Sequence, residues 1–241
     1  MRYAVCTKGF SLPTAYCLPS SCSCYELSAM SNELRAESVT RGYGLLETFL
    51  AKKRAGMANS LIFPQLRTGR ILDIGCGTTP YFLLNTSFAG RYGLDKVTQS
   101  GEKTIASGDS IVLANFDIER AEKIPFEDDY FNVVTMLAVF EHILPERLPA
   151  VVKEIHRILR PGGMYILTTP AWWTDRLLRF MARLRLVSPA EIEEHKDRYA
   201  PRKISSILQQ GGFTAENIRT GYFEIGMNIW ATAIKTIPNH Q

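Results

Sequence analysis

The sequence predicts an α/β fold, a largely parallel sheet with helices packed on its faces, and three stretches carry that prediction. Arg70 to Ile74 is a short apolar run that meets Gly75-Cys76-Gly77 and then a helix-like stretch from Pro80, the pattern of a strand feeding a tight turn and a helix. Phe131 to Ala138 is an almost unbroken apolar run, as a central parallel strand covered on both faces requires. Leu148, Val151, Val152, Ile155, Ile158 and Leu159 recur at helical spacing and form one apolar stripe to lay against such a sheet.

Bulk properties bound the remainder. A chain of 241 residues, 46% hydrophobic and 22% charged, can bury one sizeable core, so we expect one domain with trimmings. The net charge of +4 is too small for a dedicated nucleic-acid binder, and no Lys/Arg run exceeds Lys52-Lys53-Arg54, so no nucleic-acid partner is expected. No apolar run approaches the length of a membrane span, which points to a soluble protein. Cys6, Cys17, Cys22 and Cys24 crowd the first 24 residues, but a lone Cys-x-Cys without a second ligand pair fits no zinc spacing, and no metal is expected. Pro13 and scattered polar residues also leave no continuous apolar core for a secretory signal. Residues 1–30 therefore read as a disordered or mis-assigned leader, with Met30 as the start, and the setting as a reducing cytoplasm in which Cys76 stays a thiol.

Taken in order, residues 31–64 form an N-terminal helical segment whose helix runs from Gly44 to Ile62, with Leu45, Leu46, Phe49, Leu50, Met57 and Leu61 at helical spacing, and Pro64 ends it. After the strand at Arg70, Gly75 and Gly77 allow a sharp bend close to a ligand, and Asp73 can accept from a ligand amine or hydroxyl. A dinucleotide fingerprint would place its third glycine at Pro80, and Asp73 would repel a pyrophosphate, so a ligand with a cationic end fits better. A helix follows over Pro80 to Thr86 and a second strand over Arg91 to Asp95. Asp95 lies about 20 residues beyond Asp73, the separation at which a strand-end acid reaches a ribose diol, although an aspartate there can also serve only the turn. Lys96 to Asp109 is polar and reads as a short or irregular helix before a third strand, Ser110 to Phe116.

The fourth strand ends in Val139-Phe140-Glu141-His142, at the carboxyl edge where ligands of open α/β sheets lie. His142 there is either a general base, its pKa being near neutral, or a structural group capping the next helix. His156 is expected at the surface of that helix, Arg160-Pro161-Gly162-Gly163 closes it, and a fifth strand spans Met164 to Thr169. From Pro170 to Val187, Trp172, Trp173, Leu177, Leu178, Phe180, Met181, Leu184 and Leu186 alternate with Arg176, Arg179, Arg183 and Arg185. Such a segment can lie on a membrane surface, bind an anion, or close an acceptor pocket. His195 and Tyr199 stand at i, i+4 and could share a helix face. Ile204, Ile207 and Leu208 mark a helix ended by Gly211-Gly212, and strands over Ala215 to Phe223 and Met227 to Lys235 form a closing pair.

The segment Asp73-Ile74-Gly75-Cys76-Gly77 resembles motif I of the class I S-adenosylmethionine-dependent methyltransferases, of the small-molecule type, with Thr79 where that motif has its third glycine. Asp95, Phe116-Asp117-Ile118, Glu141-His142 and Pro161-Gly162-Gly163 follow in the family's order across roughly residues 65 to 170. The resemblance implies a Rossmann-like doubly wound seven-stranded sheet of order 3-2-1-4-5-7-6 with its last strand antiparallel. Residues 65–241 would be the methyltransferase domain, with a helical insertion at 171–200. The implied cofactor is S-adenosyl-L-methionine, and the implied reaction in-line methyl transfer to a small-molecule or lipid/glycan-type acceptor. Asp73, Gly75, Cys76 and Gly77 would meet the methionine end, Asp95 and Lys96 the ribose, Phe116, Asp117 and Ile118 the adenine, with Leu137 and His142 completing the cofactor site. His142, His195 and Tyr199 are the candidates for the chemical step, and Trp172 and Trp173 for the acceptor wall. A nicotinamide-dependent oxidoreductase and a non-catalytic cofactor-binding module are the rival readings.

Overall fold

The computed structural model describes residues 45–97, 101–104, 110–171, 173–174 and 199–238. The expectations for the first 44 residues, for Trp172, for the basic stretch after Thr174 and for His195 lie outside the described residues. Eight strands form one sheet: β1 (Arg70–Ile74), β2 (Gly90–Asp95), β3 (Gly101–Thr104), β4 (Ser110–Asn115), β5 (Phe131–Leu137), β6 (Leu159–Pro170), β7 (Ile218–Phe223) and β8 (Asn228–Ile234). Their order is β3-β4-β2-β1-β5-β6-β8-β7. Setting β3 aside leaves the seven-stranded 3-2-1-4-5-7-6 arrangement. The strands β4, β2, β1, β5 and β6 run parallel, and β8 is antiparallel to both of its neighbours.

Among the described residues, four α-helices flank the sheet: α1 (Leu45–Leu61), α2 (Tyr81–Leu84), α3 (Leu148–Ile158) and α4 (Pro201–Gln210). Alternation along each strand divides the apolar side chains between two layers, since neighbouring residues point to opposite faces. Leu72, Val134, Tyr165 and Leu167 pack with the buried stripes of α3 and α4, while Ile71, Val133 and Ile166 pack with Ala55, Ala58, Phe82 and Leu83 of α1 and α2. The sheet is thus enclosed on both sides, which is why β5 tolerates a nearly continuous apolar sequence.

Several local expectations are corrected. In the polar stretch after Lys96, where a short or irregular helix is expected, residues 101–104 form a strand, β3. It pairs antiparallel with β4 from Gly101↔Leu113 to Thr104↔Ser110 and covers what would otherwise be an open sheet edge. Arg160 to Gly163 does not close α3. That helix ends at Ile158, and the four residues enter β6 through an irregularity in the β5 pairing, with Gly162 at φ +76. Residues Ala215–Asn217 form a 3-10 turn ahead of β7. In α1, small Ala55 and Ala58 are buried against the sheet and Phe49 is left exposed. His156 is half-buried, edge-on to the Phe213 ring at 4.9 Å, and burial together with the Lys235 charge lowers its pKa.

At the amino edge, one side chain ties the loop before β5 to α3. Arg157 donates to Phe126 O and Ile124 O, each at 2.9 Å, and pairs with Glu154 and Asp128 at 2.8 Å. Arg147 holds the start of the same loop by donating to Glu119 O and Ala121 O. These contacts fix the path of the segment that runs from the end of β4 back to β5.

Candidate functional site

The sheet reverses its winding between β1 and β5, and the crevice above their carboxyl ends is where open α/β sheets bind ligands. β1 leads there into a bend in which Gly75 (φ +80) and Gly77 (φ +70) both take the left-handed conformation. The two glycines serve different purposes. A Cβ on Gly75 would lie 2.1 Å from Val139 Cγ2, so that glycine is required by the chain leaving β5. A Cβ on Gly77 would meet nothing within 4 Å, so the outer half of the bend borders open space. The Cys76 side chain is buried toward the sheet, its Sγ 2.7 Å from where Gly93 would carry a Cβ, which leaves only Cys76 backbone to face a ligand.

Two buried carboxylates flank the bend. Asp95, at the end of β2, accepts from Gly77 N on Oδ2 and from Val97 N on Oδ1, both at 2.9 Å, and so clamps the bend to the neighbouring strand. Asp73 is buried in β1 and accepts from the Thr135 hydroxyl at 2.6 Å. Burial pushes the Asp73 carboxyl up to about 7. The Thr135 hydrogen bond opposes the rise and the Asp95 charge adds to it. A carboxyl held this far above its ordinary range is a ready partner for a cation, which would stabilise its ionised form.

The chain after β4 joins this group. Phe116 N donates to Asp95 O at 3.0 Å, which brings the Phe116–Ile118 segment beside the β2 acid, and both apolar side chains pack partly buried against the main core. Asp117 turns its Oδ1 to Glu119 N at 3.0 Å and lies 3.5 Å from Arg120 Nε, an arrangement that stabilises the local turn. Lys96 is exposed, and its carbonyl accepts from Asn115 Nδ2.

On the other side, Leu137 is half-buried and Ala138 takes φ +56, with its N–H donating to Thr168 O at 2.9 Å. A 3-10 turn, Phe140–His142, follows; Phe140 and Glu141 are buried in it and His142 is half-exposed. α3 begins only at Leu148, so His142 does not cap it. Tyr199 reaches the same quarter. It forms a parallel bridge with Ala171 just after β6 and packs its buried ring edge-on to Phe140 at 4.9 Å. Trp173 is partly exposed next to this bridge.

Thr135 and Val139 escaped the reading of the sequence. A signal for Thr135 was present, since a single hydroxyl inside the apolar run Phe131 to Ala138 must find a buried partner. Val139 gave none, because its role depends on how closely two strand exits approach. Among the described residues, no group of three or more His, Cys, Asp or Glu is arranged to hold a metal ion.

A family model described as a methyltransferase domain matches residues 44–218. The chain belongs to that family. Its sheet order is the one expected of the class I methyltransferase fold. An S-adenosylmethionine-dependent methyltransferase of Thermotoga maritima shares the fold with a TM-score of 0.56 and 16% identity, over 88% of this chain and 99% of that one. A phosphoethanolamine N-methyltransferase of Haemonchus contortus, solved with phosphomonomethylethanolamine and S-adenosylhomocysteine, gives 0.52 and 15%, over 77% of this chain and 53% of that one. At such identities the likeness is one of fold. In sequence, the demethylmenaquinone methyltransferase of Staphylococcus epidermidis is 31% identical over 104 residues, 40% of this methyltransferase-domain chain and 41% of the relative. That of Symbiobacterium thermophilum is 27% identical over 117 residues, 46% of each. The chain thus spans less than half the length of these curated relatives.

Proposed function

We propose that the protein binds S-adenosyl-L-methionine at the carboxyl edge of β1, β2 and β4 and transfers its methyl group to a small-molecule or lipid/glycan-type acceptor in the cytoplasm. The observation that carries this reading is the open space beside Gly77 between two buried carboxylates, one of them with its pKa raised to about 7. In this reading Asp73 receives the ammonium of the methionine end, and the glycine backbone from Gly75 to Gly77 lies along it. Asp95, at the end of β2, receives the ribose hydroxyls, and Lys96 is beside it. Phe116 and Ile118 offer apolar surface to the adenine, Asp117 an acceptor for its amino group, and Leu137 with His142 a boundary toward the acceptor.

The bound cofactor supplies an activated methyl on a sulfonium, so the protein's work is alignment, exclusion of water and proton handling. His142, half-exposed at the β5 exit, is suited to hold the proton an acceptor gives up. His195 and Tyr199 are further candidates. Tyr199 is buried behind Phe140 and would act from the acceptor side.

Calorimetry with S-adenosylhomocysteine and, separately, with NAD tests the reading. We expect the first to bind and the second not to, because Pro80 stands where a dinucleotide loop has its third glycine. A methyl-release assay over amines and quinones, the kinds of acceptor named for the relatives above, then identifies the class. Binding of NAD alone would overturn the assignment, and cofactor binding without turnover on any acceptor would leave a non-catalytic module.

A further inference from the structure

Three parts of the chain meet at the carboxyl edge on the far side of β6: the first half of α1, the tip of the β7–β8 hairpin, and the residues after Pro170. Ala171 N donates to Met227 O at 2.8 Å, and a Cβ on Gly226 would lie 3.7 Å from Trp173 Cζ2, so the hairpin tip rests on the β6 exit. Lys53 and Arg54 of α1 are close enough to Glu224 to act on its titration.

The tip is built to project an apolar side chain. Glu224, Ile225 and Gly226 are all left-handed, with φ of 52, 58 and 81, and Ile225 at their centre is 96% exposed. Phe49 is 52% exposed with Lys53 Nζ 5.3 Å from its ring centre, and Trp173 also faces solvent. The acid of the tip is turned inward. Asn228 donates to Glu224 Oε2, Oε1 is buried with no hydrogen-bond partner among the described residues, and burial raises the carboxyl's pKa. What faces outward is an isoleucine, two aromatic side chains and the exposed cations Lys52 and Lys53.

We propose that this face docks on an anionic bilayer surface. Trp, apolar with a polar end, settles at the depth of lipid headgroups, and lysines beside it gain from negative lipid charge. The apolar side chains come from three separate segments, α1, the β6 exit and the hairpin tip. The cations need a partner rich in negative charge, and Glu224, turned inward, does not present its charge to it. The docked face lies at the same carboxyl edge of the sheet as the cofactor crevice. The docking itself does not depend on the cofactor reading.

The test is co-sedimentation of the full chain with vesicles of phosphatidylcholine alone or mixed with phosphatidylglycerol, with no cofactor present. Binding to the mixed vesicles, weakened by salt, is expected. Ile225→Asp should lower the partition coefficient by about tenfold or more, from the loss of one buried isoleucine. Lys52→Glu/Lys53→Glu should lower it by about fivefold for each lysine. Both sets of positions are exposed, so thermal melting should match wild type. If either variant melts early, Phe49→Ala, also at an exposed position, replaces it. S-adenosylhomocysteine titration of the same variants should be unchanged, which separates a failure of docking from a failure of the cofactor assignment. Absence of wild-type binding to the mixed vesicles, equal binding to both lipids, or full binding by folded variants would each overturn the proposal.

Discussion

The Thr135 hydroxyl of β5 donates to Asp73 Oδ1 of β1 at 2.6 Å, joining the two strands at the point where the sheet reverses its winding. This bond favours the ionised carboxylate against the desolvation that pushes Asp73 up to about 7. Thr135→Val should therefore raise the Asp73 pKa further. In calorimetry across pH, the midpoint at which S-adenosylhomocysteine affinity appears should move upward, and Thr135→Ser should restore it. A role for Thr135 in packing alone would leave that midpoint where it is.

The same carboxyl links stability to pH, with a sign opposite to that of most aspartates. Its folded pKa, about 7, lies above the ordinary value of 3.8, so the folded state binds the extra proton between those limits. Stability from this group is full below about 4 and declines as pH rises to about 7. Asp73→Asn should make the apo protein more stable than wild type at pH 8, and it should abolish the rise in cofactor affinity through neutral pH. Thermal melts and calorimetry on one pair of proteins check both.

Gly75 and Gly77 share a backbone conformation but not an environment, and alanine separates them. Gly75→Ala combines left-handed strain with a contact at 2.1 Å to Val139 and should cost at least about 2 kcal/mol in denaturant melts. Gly77→Ala has free space for its methyl and should cost about 1 to 2 kcal/mol from strain alone. Its effect should fall on the ligand, with S-adenosylhomocysteine affinity reduced by tenfold or more, because the methyl occupies the space the bend leaves open.

The contrast between these glycines shows where the sequence is legible. Strand and helix types follow from periodicity, and α3 buries the stripe Leu148, Val151, Val152, Ile155 and Ile158 that its spacing marks. The acid at the end of β2 was visible because chain distance alone brings Asp95 near the bend. What escaped depends on contacts between segments remote in sequence. β3 forms because β4 offers it an edge, not because Gly-Glu-Lys-Thr favours a strand, and the β6 irregularity at Gly162 answers to its pairing with β5. In α1, the buried alanines carry no signal in a search for large apolar residues, and the exposed Phe49 carries a false one.

Arg157 provides a control remote from the crevice. It satisfies the Ile124 and Phe126 carbonyls and holds the Glu154 carboxylate, whose pKa it lowers. Arg157→Ala would leave those acceptors to weaker partners and should destabilise the fold by about 2 to 3 kcal/mol. Arg157→Lys supplies one point charge in place of a planar fork and should recover less than half of that. The bonds lost lie at the amino edge of β5, whereas Asp73, Gly77 and Asp95 stand at the carboxyl edge. S-adenosylhomocysteine affinity at a temperature where the variant remains folded should therefore stay within about twofold of wild type. A large loss of affinity in the folded variant would show that the loop from Asp117 to Tyr130, which Arg157 anchors, transmits its position to the adenine side of the site.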